Sequence, residues 1–154
     1  MRLTQYTDYA LRVLIYLGLH ATDGAEHRCT IREISEAYDI SRNHLMKVVQ
    51  HLAAEGFVHS VRGVGGGLSL AGRPDSLNIG RIVRAMESDF ELVECMRADN
   101  RCVIAPACSL AGMLEQAQAA FLGVLDQYSL ADILTPPHRR ELARLLDIRL
   151  EVIC

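Results

Sequence analysis

The chain of 154 residues contains no tryptophan, and aromatic residues make up only 5% of it, so its core has to be built mainly from aliphatic side chains. A disulfide framework is also missing. Five cysteines is an odd number, and nothing around them suggests secretion. The apolar run over residues 9–19 is interrupted by Arg12 and lacks a small-residue cleavage site, which argues against a signal peptide. It is too short to span a membrane. No internal repeat or low-complexity segment is present. No nucleophile–base pair, phosphate loop or metalloprotease motif stands out, so an enzyme is not expected. The glycine run at 63–67 is not a dinucleotide fingerprint, because it falls in a predicted hairpin rather than between a strand and a long helix. These absences point to a cytoplasmic protein whose thiols stay reduced.

What is present is uneven. The net charge is −3, with 16 Lys+Arg against 19 Asp+Glu. Residues 1–84 carry ten basic and eight acidic side chains, and residues 85–154 carry six and eleven. Between residues 40 and 74, Arg42, Lys47, Arg62 and Arg73 face Glu55 alone. A patch of that kind suits a phosphate surface, because binding to a polyanion depends on the contacting patch and not on the overall charge.

The apolar periodicity predicts a mainly α protein with a small β-hairpin. Leu3, Tyr6, Ala10, Val13, Leu14 and Leu17 mark a helix over 4–20, with Asp8 off its stripe near the start. Residues 21–28 read as a loop around Asp23-Gly24. Thr30 to Glu33 form a capping box that opens a helix to about Tyr38. Asp39-Ile40 make a turn, and Ser41 is placed to cap a second helix over 42–54. Leu45, Val48, Val49 and Leu52 form its buried stripe, and Gly56 ends it. The alternation from Phe57 to Arg62, the glycine tip and Leu68–Leu70 predict a hairpin. Asn78 is placed to cap a helix over 79–86. This order is that of a winged helix-turn-helix.

The segments expected are a DNA-binding unit over 1–87, a cysteine loop over 88–108, a long helix within 109–135 and a C-terminal tail over 136–154. The long helix, about 109–127, carries Leu110, Met113, Leu114, Ala117, Phe121, Val124, Leu125 and Tyr128 on one broad face. That face is too apolar for so small a domain to cover, so a partner helix from a second subunit is expected. Ser129 is expected to cap a further turn, Thr135-Pro136-Pro137 to break the chain, and 138–154 to form an amphipathic helix.

The candidate DNA contacts are Ser41, Arg42, Asn43, His44 and Lys47 at the start of the second helix of the motif, with Arg62, Gly65 and Gly66 in the wing. Glycines there let backbone amides approach a phosphate ridge or a minor groove. Cys95, Cys102 and Cys108 follow in the pattern C-x6-C-x5-C. Their loop also holds Glu94, Arg97, Asp99, Asn100 and Arg101, too polar for buried structural thiols. Soft thiolates suit iron–sulfur clusters, zinc and copper. Zinc fingers use closer pairs, and wider gaps in one loop suit a cluster. The residues alone leave zinc, a thiol redox regulator using disulfide chemistry and an electron carrier as alternatives. Cys29 and Cys154 read as free thiols.

Several segments resemble a known family. Met1-Arg2-Leu3-Thr4 with Thr7 to Arg12, Ser41 to Val48, Val61-Arg62-Gly63 with Gly66-Gly67, and Tyr128 to Leu134 are similar to the IscR/NsrR-like family of iron–sulfur winged helix-turn-helix regulators. The Ser41–His44 run and the Ala105–Cys108 segment look most like its nitric-oxide-sensitive branch. The resemblance implies a homodimeric repressor that binds double-stranded operator DNA while its cluster is intact and releases it on nitrosylation. It implies Cys95, Cys102 and Cys108 as ligands of a [4Fe–4S] cluster, with [2Fe–2S] as the alternative. One branch supplies its fourth ligand from a His three residues after the last cysteine, where this chain has Ala111. The nitric-oxide-sensitive branch uses an Asp from the partner subunit's first helix, and Asp8 occupies that position. A regulator of cluster status, iron or redox state is the alternative within the family.

Overall fold

A computed structural model of the chain describes residues 2–21 and 28–149. The expected Asp23-Gly24 turn and Cys154 lie outside the described residues.

The aliphatic stripes become helices because each has a cap and a core to face. Helix α1 (Gln5–His20) begins at Thr4, whose Oγ1 accepts a hydrogen bond from the Thr7 amide at 3.4 Å. Helix α2 (Ile31–Tyr38) opens on the complete capping box. The Glu33 amide donates to Thr30 Oγ1 at 3.2 Å, and the Glu33 carboxylate accepts from the Thr30 amide. Asp39 turns the chain in the left-handed region at φ 51°, and α3 (Arg42–Ala54) follows. Ser41 occupies the cap position but makes no side-chain cap hydrogen bond, so its hydroxyl does not perform the capping expected of it. Strands β1 (Val58–Val61) and β2 (Gly67–Leu70) pair antiparallel, Val58 opposite Leu70 and Val61 opposite Gly67. Cys29 extends this hairpin. Its amide donates to Leu68 O at 2.9 Å and its carbonyl accepts from the Leu68 amide at 2.7 Å.

Asn78 starts α4 (Ile79–Met86), its Oδ1 accepting from the Arg81 amide at 2.9 Å. Single 3-10 turns at 94–96 and 105–107 punctuate the cysteine segment before α5 (Leu110–Leu125). Helix α6 (Leu130–Ile133) begins with a capping box between Ser129 and Asp132. One aliphatic core joins Val13 and Leu14 of α1, Ile34, Leu45, Val48, Leu52, Phe57, Ile82, Val83 and Leu130.

Two expectations need correction. Pro136 and Pro137 do not break the chain but begin α7 (Pro136–Leu145), since a fixed φ and a missing N–H suit a helix's first turn. Of the helix expected over 138–154, residues 150–154 lie outside the described residues, and within the rest the helix spans 136–145. It docks through Arg139, whose Nη2 donates to Leu19 O at 2.9 Å and Ala21 O at 3.2 Å, satisfying carbonyls at the end of α1. The broad apolar face of α5 is also not uniform. Leu122, outside the expected stripe, is the residue buried against this protomer's own core. Leu110, Met113, Val124 and Tyr128 stand exposed.

Candidate nucleic-acid interface and metal centre

Helix α3 turns Leu45, Val48, Val49 and Leu52 inward, and that burial forces its other faces outward. Ser41, Arg42, Asn43, His44 and Lys47 are all exposed, as are Arg62 and Gly65, while Gly66 is half-buried. The helix is braced from behind by α1. Tyr6 Oη donates to the Lys47 carbonyl at 2.9 Å, and burial raises the Tyr6 pKa. The rings of Tyr6 and His51 lie 5.8 Å apart, and those of Tyr9 and His44 6.4 Å apart. Arg42 lies 3.5 Å from Glu36, whose Oε1 also accepts from Arg32 at 2.8 Å. The wing is reached from below by Arg28, whose Nη1 donates to Gly65 O at 3.5 Å. Tyr6, Tyr9, Glu36 and Arg28 were not singled out from the sequence. The tyrosines lie on the predicted α1 stripe or beside it, but the partner they touch follows only from the helix crossing.

The cysteine segment is built differently. No residue from Ser88 to Ser109 is buried. Its order comes from tight turns. The Arg97 amide donates to Glu94 O at 3.0 Å, the Ala105 amide to Cys102 O at 3.1 Å and the Ala107 amide to Ile104 O at 3.0 Å. Glu94 Oε1 accepts from the Arg101 amide at 3.0 Å, and Arg97 pairs with Glu91 at 3.0 Å. Cys95, Cys102 and Cys108 are free thiols, each half-buried. Among the described residues, no three His, Cys, Asp or Glu side chains are drawn together tightly enough to hold a metal ion. By chemistry the donor set fits an iron–sulfur cluster. Three reduced, accessible thiols share one loop, where a metal can displace their protons. Cys29 contrasts with them. It is buried under the wing, and burial pushes its thiol up to about 12, so it stays protonated and inert.

Asp8 sits in the first turn of α1, half-exposed, with its carboxylate held by Arg12 at 2.9 and 3.1 Å. The Arg12 guanidinium also lies 5.9 Å from the Tyr38 ring centroid, at the end of α2. Within the protomer Asp8 is thus paired with a cation and not with the cysteines. The N-terminus of α1 is joined instead to the start of the cysteine segment. Glu87 Oε2 accepts from Thr7 Oγ1 at 2.6 Å, Thr4 Oγ1 at 3.1 Å and the Thr4 amide at 3.0 Å. Thr7 is fully buried, which the sequence did not announce. Beside this joint a groove of about 630 Å3 opens between Leu3, Phe90, Leu92, Leu114 and Ala117.

A family described as Rrf2, iron-dependent transcriptional regulator, matches residues 3–136. The chain belongs to the Rrf2 family. Regulators named NsrR are similar over nearly all of it. The protein from Bacillus licheniformis is 47% identical over 135 residues, covering 87% of this chain and 92% of the relative. The protein from Bacillus subtilis strain 168 is 45% identical over 150 residues, covering 97% and 99%. Among solved structures, CymR (YrzC), the global cysteine regulator of B. subtilis, superposes with a TM-score of 0.65 at 26% identity, covering 86% of this chain and 95% of that one. T. potens IscR superposes at 0.70 with 23% identity, covering 92% and 91%, and shares the fold. This Rrf2 protein is therefore a transcriptional regulator of NsrR type and not an enzyme, on the winged helix-turn-helix fold expected from its sequence. Among its described residues, no helix is long and apolar enough to cross a membrane.

Proposed function

We propose that this Rrf2 protein is a nitric-oxide-sensing repressor that acts as a homodimer and holds an iron–sulfur cluster, most simply [4Fe–4S], at Cys95, Cys102 and Cys108. Residues 1–87 grip operator DNA, 88–108 hold the cluster, 109–135 dimerise and 136–154 form a C-terminal tail whose helix α7 packs on α1. The observation that carries this reading is the placement of three reduced, half-buried thiols in one loop directly after a winged helix-turn-helix. The NsrR relatives, 41–47% identical, support the choice of signal. When bound, the cluster supplies iron that reacts with nitric oxide.

The chain's own residues do the rest. Arg42, Asn43 and His44 at the start of α3 face base edges, with Ser41 beside them. Lys47 and Arg62 hold phosphates, and the Cβ-free chain at Gly65 and Gly66 lies against the DNA backbone, the Gly66 amide staying in its bond to Gly63 O. Asp8 of the partner subunit completes the ligand set, leaving its pairing with Arg12. Because Tyr6 and Tyr9 flank Asp8 and brace α3, a pull on the start of α1 changes the seating of the recognition helix. The apolar side chains left exposed on α5 support the second copy as its cover.

The test is an anaerobic absorbance spectrum with iron analysis, followed by nitric oxide titration and a gel shift on the same sample. A brown protein that changes colour with nitric oxide and then releases DNA is expected. A colourless, iron-free protein that binds DNA regardless of nitric oxide would rule the sensor out and point to zinc or thiol chemistry.

A further inference from the structure

Val64 at the wing tip is fully exposed, more so than any other large hydrophobic residue among those described. It is held there by construction. The Gly66 amide donates to Gly63 O at 2.9 Å, closing a four-residue turn, and Gly65 in its third position has φ +76°. That is the requirement of a type II turn, which puts Val64 at the outer corner. A Cβ on Gly66 would overlap the carbonyls of Val61 and Gly63, so the turn is packed onto its own strand. Val64 is β-branched and has little rotamer freedom to lose on contact. The tip is therefore a stiff apolar knob.

Its surroundings specify what it touches. No Asp or Glu occurs from Gly56 to Pro74, Arg62 is exposed beside the knob, and Arg28 reaches Gly65. An apolar tip rimmed by cations fits a polyanion with an apolar inner wall. The minor groove is such a surface, with phosphates on its rims, deoxyribose along its walls and base edges on its floor. A guanine–cytosine pair projects an amino group into that groove, and an adenine–thymine pair does not. A-tracts also narrow the groove, bringing the sugar walls onto an inserted side chain.

We propose that Val64 is a specificity-determining residue that packs into the operator's minor groove beside the half-site and selects A·T over G·C there. This rests on the DNA-binding reading above.

The test uses the anaerobically purified holoprotein and its Val64→Ala variant. Both select from duplexes with a randomised window of about 30 base pairs, wide enough for two half-sites. The selected site is then titrated with A·T, G·C or inosine–cytosine at the flanking positions. The inosine pair keeps the major-groove face of G·C but lacks the minor-groove amino group. The wild type is expected to bind the A·T and inosine flanks about equally, and the G·C flank roughly five- to ten-fold more weakly. Val64→Ala should select the same half-site with that preference flattened below about two-fold. A variant with the wild-type preference, or an inosine flank that behaves like G·C, overturns the proposal while leaving DNA binding intact. Failure of the wild type to enrich any site overturns the DNA-binding reading, and this proposal with it.

Discussion

The described residues between Thr4 and Met86 fold around side chains removed from water, among them Val13, Leu14, Leu45, Leu52 and Val83, whereas from Ser88 to Ser109 nothing is buried. The first region holds its shape through its own core. The second is a run of turns whose hydrogen bonds compete with water and contribute little each. Order that costs little to change is what a regulatory segment needs, because a ligand shifts an equilibrium only by its differential affinity for the two states. On the function proposed above, the stable half presents the DNA-reading surface, and the thiols lie in the half that a cofactor would organise.

The largest effects should separate the two regions. Leu45→Ala and Leu52→Ala each remove a fully buried side chain from α3 and should cost about 3 kcal/mol in denaturant unfolding of the iron-free protein under reducing conditions. Cys102→Ala should change the same quantity by less than about 0.5 kcal/mol while abolishing iron loading. A Cys102→Ala loss as large as that of the α3 variants would make the loop part of the core and break the comparison. Normal iron content in that variant would remove Cys102 as a ligand.

The same division governs how much of the molecule the sequence revealed. Helix α3 was legible at both ends, because Ser41 and Gly56 bracket a clean stripe at helical spacing. The capping signatures of Thr30 and Asn78 were equally readable. Asn78 also donates to Asp126 O at 2.7 Å, a tertiary bond that no local pattern announces. The cysteine pattern identified a donor set but not its arrangement, since a polar segment of turns has no periodicity from which to place it. Pro136 was misleading because proline ends one helix and starts another with the same residue. Leu122 was missed because α5 has apolar residues on more than one side, and only packing decides which side faces inward.

Where the two regions meet, Glu87 accepts three hydrogen bonds at one oxygen, including one from the fully buried Thr7. Glu87→Ala takes away that hydroxyl's shortest partner and leaves it only Thr4 Oγ1 at 3.2 Å, and should cost about 1 kcal/mol in the iron-free protein. Thr7→Val combined with Glu87→Ala should cost clearly less than the sum of the two. Additive losses would show that the Thr7–Glu87 bond carries no coupling and would leave the two Thr4 bonds to join α1 to the cysteine segment.

Helix α5 repeats the contrast within a single element. Its C-terminal end is anchored by Leu122, and its N-terminal end displays Leu110 and Met113. Met113→Glu should weaken dimerisation about ten-fold, read by sedimentation equilibrium, because a charge would enter an apolar interface. An unchanged dimer would take Met113 out of that interface and assign the exposed face to another partner.

The smallest effect concerns the polar fastening of α5 to α4. Arg84 grips both oxygens of Asp126, at 2.7 Å for the Nη2 contact, and holds the Asp126 carboxyl below its ordinary range. A carboxyl whose pKa is lower folded than unfolded contributes stability above its unfolded value. That contribution fades as pH falls through the usual carboxylate range near 4 and below it. Both side chains are about half in water, so solvent screening keeps the contribution small. The wild-type unfolding midpoint should therefore fall slightly more on acidification than that of Asp126→Asn, with the two curves converging at the acid end. Parallel curves across the whole range would mean that the ion pair adds nothing measurable. The docking of α5 would then rest on the apolar packing of Leu122, Phe121 and Leu125 and on the Asn78 contacts.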